Sequence, residues 1–146
     1  MRENLPPIWK QARRVLAMVR QAVVERFSRL YRYELGVELI KNARAAVRAA
    51  RRAALDSTSR RRQKIQELSD AIDELKDSMQ EAEDMGSFAS IAEFEAIARE
   101  IRSLGQQCGG WLKEPFGKDQ NVPAGLPAGQ RVQTLSARDA SQGVNP

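Results

Sequence analysis

The sequence predicts an all-α protein, an antiparallel up-down-up-down four-helix bundle with a disordered C-terminal tail. Apolar residues recur at steps of three and four in four successive segments, which is the helical period. Glycine and proline are scarce before residue 114, and no alternating strand pattern competes. The bundle is expected over residues 1–114 and the tail over residues 115–146.

The first helix is expected to begin near Pro6-Pro7, because proline is tolerated in a first turn where its missing N–H is not needed. Its apolar stripe loses its phase between Ser28 and Glu34, and we place the first break there although no Gly or Pro marks it. The stripe consists of Ile8, Ala12, Val15, Val19, Ala22 and Val23, widened by Trp9 and Leu16.

The second helix is expected from about Arg32 to Ala54. Its inner face is rich in alanine, which would let a neighbouring helix approach closely. The run Asp56-Ser57-Thr58-Ser59 is a cluster of N-cap residues and predicts the start of the third helix. The inner face of the second helix comprises Leu35, Leu39, Ala43, Ala46, Ala50 and Ala53.

The third and fourth helices are delimited by residues typical of helix ends. Gly86 suits the position just after the third helix. Ser90 and Glu93 have the spacing of a capping box, which predicts the start of the fourth helix. The third helix carries Ile65, Leu68, Ile72, Leu75, Met79 and Ala82, and the fourth carries Phe94, Ile97, Ile101, Leu104, Cys108 and Trp111 or Leu112.

After residue 114 the composition changes. Four prolines and four glycines fall within residues 115–146, and the apolar residues there show no period. Such a segment cannot bury enough apolar surface to offset its loss of conformational entropy. We therefore expect a disordered tail.

The chain contains no histidine and one cysteine. His-based zinc sites, Ser-His triads and Glu-x-x-His di-iron motifs are therefore impossible. We expect no catalytic residue, no metal site, no cofactor and no enzymatic activity. There is no run of 18 uncharged apolar residues and no apolar signal segment at the N-terminus, so we expect a cytoplasmic protein without a membrane span.

The charge is distributed unevenly along the chain. Residues 1–64 carry 17 Lys and Arg against 5 Asp and Glu, whereas residues 65–114 carry 4 against 12. A block of positive charge attracts polyanions. The first half of the chain is therefore the candidate binding region.

The second helix concentrates this positive charge on one face. Five cations lie, at about 100° per residue, within an arc of about 100° nearly opposite the apolar stripe, and no acid of this helix is expected close enough to relieve them. Guanidinium groups suit phosphate oxygens, and release of counterions favours binding. The predicted phosphate-binding set is Lys41, Arg44, Arg48, Arg51 and Arg52 of this face, Arg60, Arg61, Arg62 and Lys64 beyond it, and Arg13, Arg14 and Arg20 of the first helix.

An alternative interpretation of this basic face is a solvated surface partly neutralised by the acidic third helix. A regular exposed stripe of carboxylates is a solvated or docking face rather than an acid–base site, because it lacks the burial that shifts a pKa. We hypothesise that the acidic stripe of one protomer faces the basic flank of the next. The stripe consists of Glu67, Asp70, Glu74, Asp77, Glu81 and Asp84.

Three smaller features favour structural interpretations. Cys108 is expected to be a buried small residue. Gly105 and Gly109 are expected to form a notch for close helix packing. Tyr31 and Tyr33 could stack on bases, but core or interface packing is the favoured interpretation.

Three segments resemble one family. Residues 27–36 (FSRLYRYELG) resemble the Phe-Pro-Lys-x-x-Arg-Tyr-x-Leu-Gly turn between its first two helices, Ser90 to Glu95 resemble the start of its fourth helix, and residues 104–113 (LGQQCGGWLK) resemble its closing Leu-Gly-x-x-Leu-Gly-Gly-Trp-Leu-Lys. Together they resemble the accessory variability determinant (Avd) proteins of diversity-generating retroelements, which are relatives of bundle proteins encoded in intervening sequences of ribosomal RNA genes. Ser28 stands where the family has proline, and Cys108 where it has a larger aliphatic residue.

The resemblance, over about residues 5–113, implies a function. It implies a basic homopentamer without a catalytic centre. This protein would bind the reverse transcriptase of the retroelement and its template RNA and cDNA, and would support mutagenic cDNA synthesis. The alternative is a protein-interaction scaffold of the intervening-sequence type that does not bind nucleic acid.

Overall fold

The computed structural model describes residues 6–113, which form four long helices. Helix α1 spans Pro7–Arg26, α2 spans Val37–Leu55, α3 spans Arg61–Asp84 and α4 spans Ile91–Lys113. Residues 6–113 contain no strand, which confirms the all-α class. The up-down-up-down order stays a prediction, and the tail predicted at residues 115–146 lies outside the described residues.

The break after the first helix lies where the apolar period fails. Helix α1 ends at Arg26, and both Phe27 and Ser28 have extended backbone, with ψ of 141° and 162°. The hydroxyl oxygen of Ser28 accepts a hydrogen bond from the Tyr31 amide, at 3.4 Å, and so caps the next helical turn. The predicted break is therefore confirmed at Ser28, whereas residues 29–34, where the break was also expected, are helical.

The second helical segment is longer than predicted. A short α-helical turn, Arg29–Tyr31, is followed by a π-helical turn, Arg32–Gly36, which continues directly into α2. Gly36 is buried and lies directly against Val23 of α1. A wide turn of this kind inserts an extra residue into the helix. It brings the Gly36 backbone onto α1 where a side chain would not fit.

The predicted apolar stripes form the core. All the predicted stripe residues of α1 and α3 are buried, apart from the flanking Trp9 and Leu16, which are half-buried. Leu35, Phe94 and the Trp111–Leu112 pair are also only partly buried. The largest fully buried side chains are Val15, Val19, Val23, Leu39, Ile65, Leu68, Ile72, Leu75, Ile97, Ile101 and Leu104.

The turn between α3 and α4 follows the predicted helix-end chemistry. Gly86 has a positive φ of 75°, and its amide donates to the Glu83 carbonyl at 2.9 Å while Ser87 donates to Ala82 at 3.0 Å. These two bonds are the Schellman pattern. Gly86 therefore ends α3 as predicted.

The start of α4 is held by Ser90 and Glu93. The Ser90 hydroxyl accepts a hydrogen bond from the Glu93 amide at 3.1 Å, and the Glu93 carboxylate accepts one from the Ala89 amide at 3.3 Å. The reciprocal bond thus reaches the residue before the N-cap rather than the N-cap itself. The same carboxylate pairs with Arg26 at 3.0 Å, which connects the start of α4 to the end of α1.

Polar contacts join α4 to the other helices within the described residues. Gln11 of α1 donates to Glu100 at 3.2 Å and accepts a hydrogen bond from Gln107. The buried Cys108 thiol lies 3.6 Å from the Ile65 carbonyl of α3. Within residues 6–113, no helix is both long and apolar enough to cross a membrane.

Candidate nucleic-acid interface

The outer face of α2 carries the predicted row of cations. Its opposite side is the alanine-rich stripe, which is buried from Leu39 to Ala53. Helical geometry therefore directs residues half a turn away from that stripe to solvent. The exposed residues Lys41, Arg44, Arg48, Arg51 and Arg52 together form the basic face of α2.

At one end of the basic face, a cation forms an ion pair that was not predicted. The Lys41 ammonium lies 4.0 Å from the Glu38 carboxylate, so the expectation that no acid of this helix approaches the face is wrong there. Both groups are well exposed, and such a pair contributes little. Within residues 6–113, Arg44, Arg48 and Arg52 form no ion pair or hydrogen bond through their side chains.

The three predicted arginines of α1 have different surroundings. The Arg13 guanidinium lies over the Trp9 ring, 4.8 Å from its centroid, and Arg20 is exposed. Arg14 lies 3.5 Å from Glu100 of α4. Arg14 is therefore partly neutralised by a carboxylate of α4.

The cations at the start of α3 pack against the end of α4. Arg61 lies over the Trp111 ring, 5.2 Å from its centroid, and Arg62 donates to the Leu112 carbonyl at 3.1 Å. Lys64 pairs with Glu67 at 3.7 Å, whereas Arg60 is exposed. A cation beside the last carbonyls of a helix is favourable. Arg61 and Arg62 thus stabilise the packing of α3 against α4, a role that charge counting along the sequence could not reveal.

The acidic stripe of α3 lies on the surface as expected. Five of its six carboxylates are exposed, and Glu67, which pairs with Lys64, is half-buried. Glutamines one turn earlier donate to some of these carboxylates, as Gln66 does to Asp70 at 3.2 Å and Gln80 to Asp84 at 2.9 Å. The stripe is therefore a solvated face, and its docking to another protomer stays a prediction.

One residue beside the basic face was assigned incorrectly from the sequence. Tyr33 is 69% exposed, so core packing, one of its two favoured interpretations, is wrong; Tyr31 is half-buried. The exposed Arg32 between them donates to the Phe27 carbonyl at 3.4 Å. The signal that could have identified Tyr33 is its spacing from Val37 and Lys41, which places it on the outer side of the same helix.

The glycine notch and the cysteine give different outcomes. A Cβ on Gly105 would make ordinary contacts with Lys76 and Ile72, and one on Gly109 would meet nothing within 4 Å. The close-packing interpretation is therefore wrong at Gly109. Cys108 is buried as predicted. Within residues 6–113, no three His, Cys, Asp or Glu side chains are grouped as metal ligands would be.

No family model matches the chain, and no curated protein matches it either. The geometry of the basic face and the three segments that resemble the Avd family are therefore the features that bear on function.

Proposed function

We propose that this protein binds nucleic acid through the basic face, by contacts to phosphate, and that it has no catalytic activity of its own. The observation that carries the proposal is the group Arg44, Arg48 and Arg52, which are exposed and make no ion pair within residues 6–113. Three like charges on one helix side repel one another, and a polyanion relieves that repulsion. The cations of α1 and of the α3 start would extend the contact.

The resemblance to the Avd family supports a more specific proposal. In that setting the protein would be an accessory factor of a diversity-generating retroelement. It would bind the reverse transcriptase and the template RNA and support mutagenic cDNA synthesis. It would act as a homopentamer, in which the acidic stripe of one protomer could face the basic flank of the next. Sedimentation at low and high salt tests that contact. Because salt weakens exposed ion pairs, a pentamer that depends on it should dissociate at high salt.

The phosphate contact is tested by titrating RNA binding against salt. We expect binding at low salt whose logarithm falls linearly with the logarithm of salt concentration, by about 0.7 per neutralised phosphate on a single strand. Replacing Arg44, Arg48 and Arg52 together by Gln should weaken binding and reduce this slope by about 2. Absence of detectable binding at low salt would overturn the proposal.

A matched variant separates the basic face from net charge. Lys76 of α3 and Arg99 and Arg102 of α4 are exposed, and replacing all three by Gln removes the same charge elsewhere on the surface. If the basic face is the binding surface, this control should keep most of the affinity. Equal losses in the two triple variants would show that only the total charge matters.

A protein-interaction scaffold without nucleic-acid binding is the second candidate. The observation that favours it is a set of exposed apolar side chains around the α1–α2 turn, including Val24 at 57%, Leu30 at 63% and Val37 at 60% exposure. Large exposed apolar side chains are a feature of protein-binding surfaces. Under this hypothesis RNA binding is absent at low salt, where the first proposal requires it.

A further inference from the structure

Tyr33 is an exposed aromatic ring at one end of the basic face. Among the aromatic side chains of residues 6–113, it alone is more than half exposed. Trp9 and Trp111 are each covered by an arginine, and Phe27, Phe88 and Phe94 pack edge to face with centroid separations of 5.2 and 5.5 Å. Among the aromatic side chains of residues 6–113, the Tyr33 ring is therefore the most accessible to a ligand.

The position of Tyr33 is fixed by the backbone. It lies in the π-helical turn Arg32–Gly36, and the end of that turn is pressed against Val23. The start of the turn is held by the hydrogen bond from Arg32 to the Phe27 carbonyl. Because the turn is fastened at both ends, little backbone entropy is lost when a ligand binds to the ring.

Tyr33 is also aligned with the cations. Steps of four, four and three residues separate Tyr33, Val37, Lys41 and Arg44, so all of them lie on the outer side of the same helical segment. At about 1.5 Å per residue, Tyr33 and Arg48 are separated by about 20 Å along the axis. Proteins that bind single strands combine such a positive track with aromatic rings, over about four nucleotides or more.

We propose that Tyr33 is a stacking platform for an unpaired base, and that the ligand of the basic face is single-stranded nucleic acid. This inference rests on the proposed phosphate binding and adds the class of ligand to it. A duplex offers the same phosphates, but its base faces are stacked inside, where an exposed tyrosine cannot reach them. A single strand offers both its phosphates and the faces of its bases.

The test compares Tyr33→Leu with Tyr33→Phe on three synthetic ligands of equal length: a single-stranded RNA, the same RNA with abasic sites, and the fully paired duplex. We expect Tyr33→Leu to weaken binding of the single strand at least about fivefold, the lower end of the effect of losing one base stack. Tyr33→Phe should retain wild-type affinity, because stacking needs the ring and not the hydroxyl. Duplex binding should be the same in all three proteins.

The abasic ligand identifies the interaction. Wild type should bind it more weakly than the intact strand, whereas Tyr33→Leu should bind both alike. An unchanged single-strand affinity in Tyr33→Leu, or an equal loss on single strand and duplex, would overturn the inference and leave phosphate binding standing. Failure of the wild type to bind any of the ligands at low salt would overturn both proposals. Because Tyr33 is exposed, the variants should melt like the wild type, and thermal unfolding checks this.

Discussion

Gly36 and Val23 pack so closely that a Cβ on Gly36 would overlap the Cγ1 atom of Val23. The backbone of Gly36 is helical, with φ of −66° and ψ of −38°, so its conformation does not require glycine. The requirement is space alone. This contact packs the end of the π-helical turn directly against α1.

Gly36→Ala is expected to destabilise the protein. In a helix, alanine would normally be favoured over glycine by up to about 1 kcal/mol. The added methyl group, however, forces Val23 or the backbone to move, and overpacking of this kind costs about 1–3 kcal/mol. We expect a net loss of about 1 kcal/mol in the free energy of unfolding, measured by denaturant titration.

Gly105→Ala is the matched control, because the same exchange in α4 meets ordinary van der Waals contacts and no overlap. There the helix propensity of alanine should dominate, and stability should rise by about 0.5–1 kcal/mol. Gains of the same size in both variants would show that Gly36 is not tightly packed.

Removing the hydroxyl of Ser90 is expected to loosen the start of α4. Ser90→Ala leaves the Glu93 amide without its acceptor, and loss of an N-cap costs about 1 kcal/mol. Ser103→Ala serves as the control, because Ser103 lies within α4, where alanine is the better helix former. Thermal melting should therefore rank Ser90→Ala below wild type and Ser103→Ala at or above it.

The Cys108 thiol is expected to make stability depend on alkaline pH. Burial, and secondly the carboxylates of Asp73 and Asp70, raise the pKa of Cys108 to about 11 from 9.0. Between these values the unfolded thiol loses its proton while the folded one keeps it. The contribution of Cys108 is therefore fully present below pH 9 and is lost as the pH rises towards 11.

Two measurements check the Cys108 prediction. Stability should fall more steeply between pH 9 and 11 in wild type than in Cys108→Ala, which removes this group and leaves the other titrations unchanged. The thiol should also react slowly with a disulfide reagent at pH 8 in the folded protein and rapidly in guanidinium chloride. Fast reaction in the folded state would show that the thiol is accessible.

The apolar period of the sequence predicts the core well, because burial in a helix depends mainly on which residues share a face. The stripe residues of α1 and α3 illustrate this. The π-helical turn could not be predicted in the same way. It ends where Gly36 lies against Val23, a contact that exists only once α1 and α2 are packed. In the sequence, the only sign of the π-helical turn is the loss of the apolar period after Ser28.

The candidate site is predictable in part for a related reason. Exposure of Arg44 and Arg48 follows from their position opposite a buried stripe, within one helix. The pairing of Arg14 with Glu100 and the contact of Arg62 with Leu112 join residues that are far apart in the chain. The spacing of charges in the sequence does not distinguish these arginines from one another. Only the packing of the helices shows which of them contact other helices and which are exposed to a ligand.

Arg62 and Arg48 should therefore respond oppositely to the same substitution. Arg62→Met removes the donor to the Leu112 carbonyl and a cation at the end of α4, so stability should fall by about 1 kcal/mol. Arg48→Met, on an exposed site without an ion pair among residues 6–113, should change stability by less than about 0.5 kcal/mol. RNA affinity at low salt should show the reverse order, with the larger loss in Arg48→Met, because its guanidinium is available to phosphate. Denaturant titration and RNA-binding measurements on both variants test this prediction. A larger loss of RNA affinity in Arg62→Met than in Arg48→Met would show that phosphate binds at the junction of α3 and α4 and not on α2.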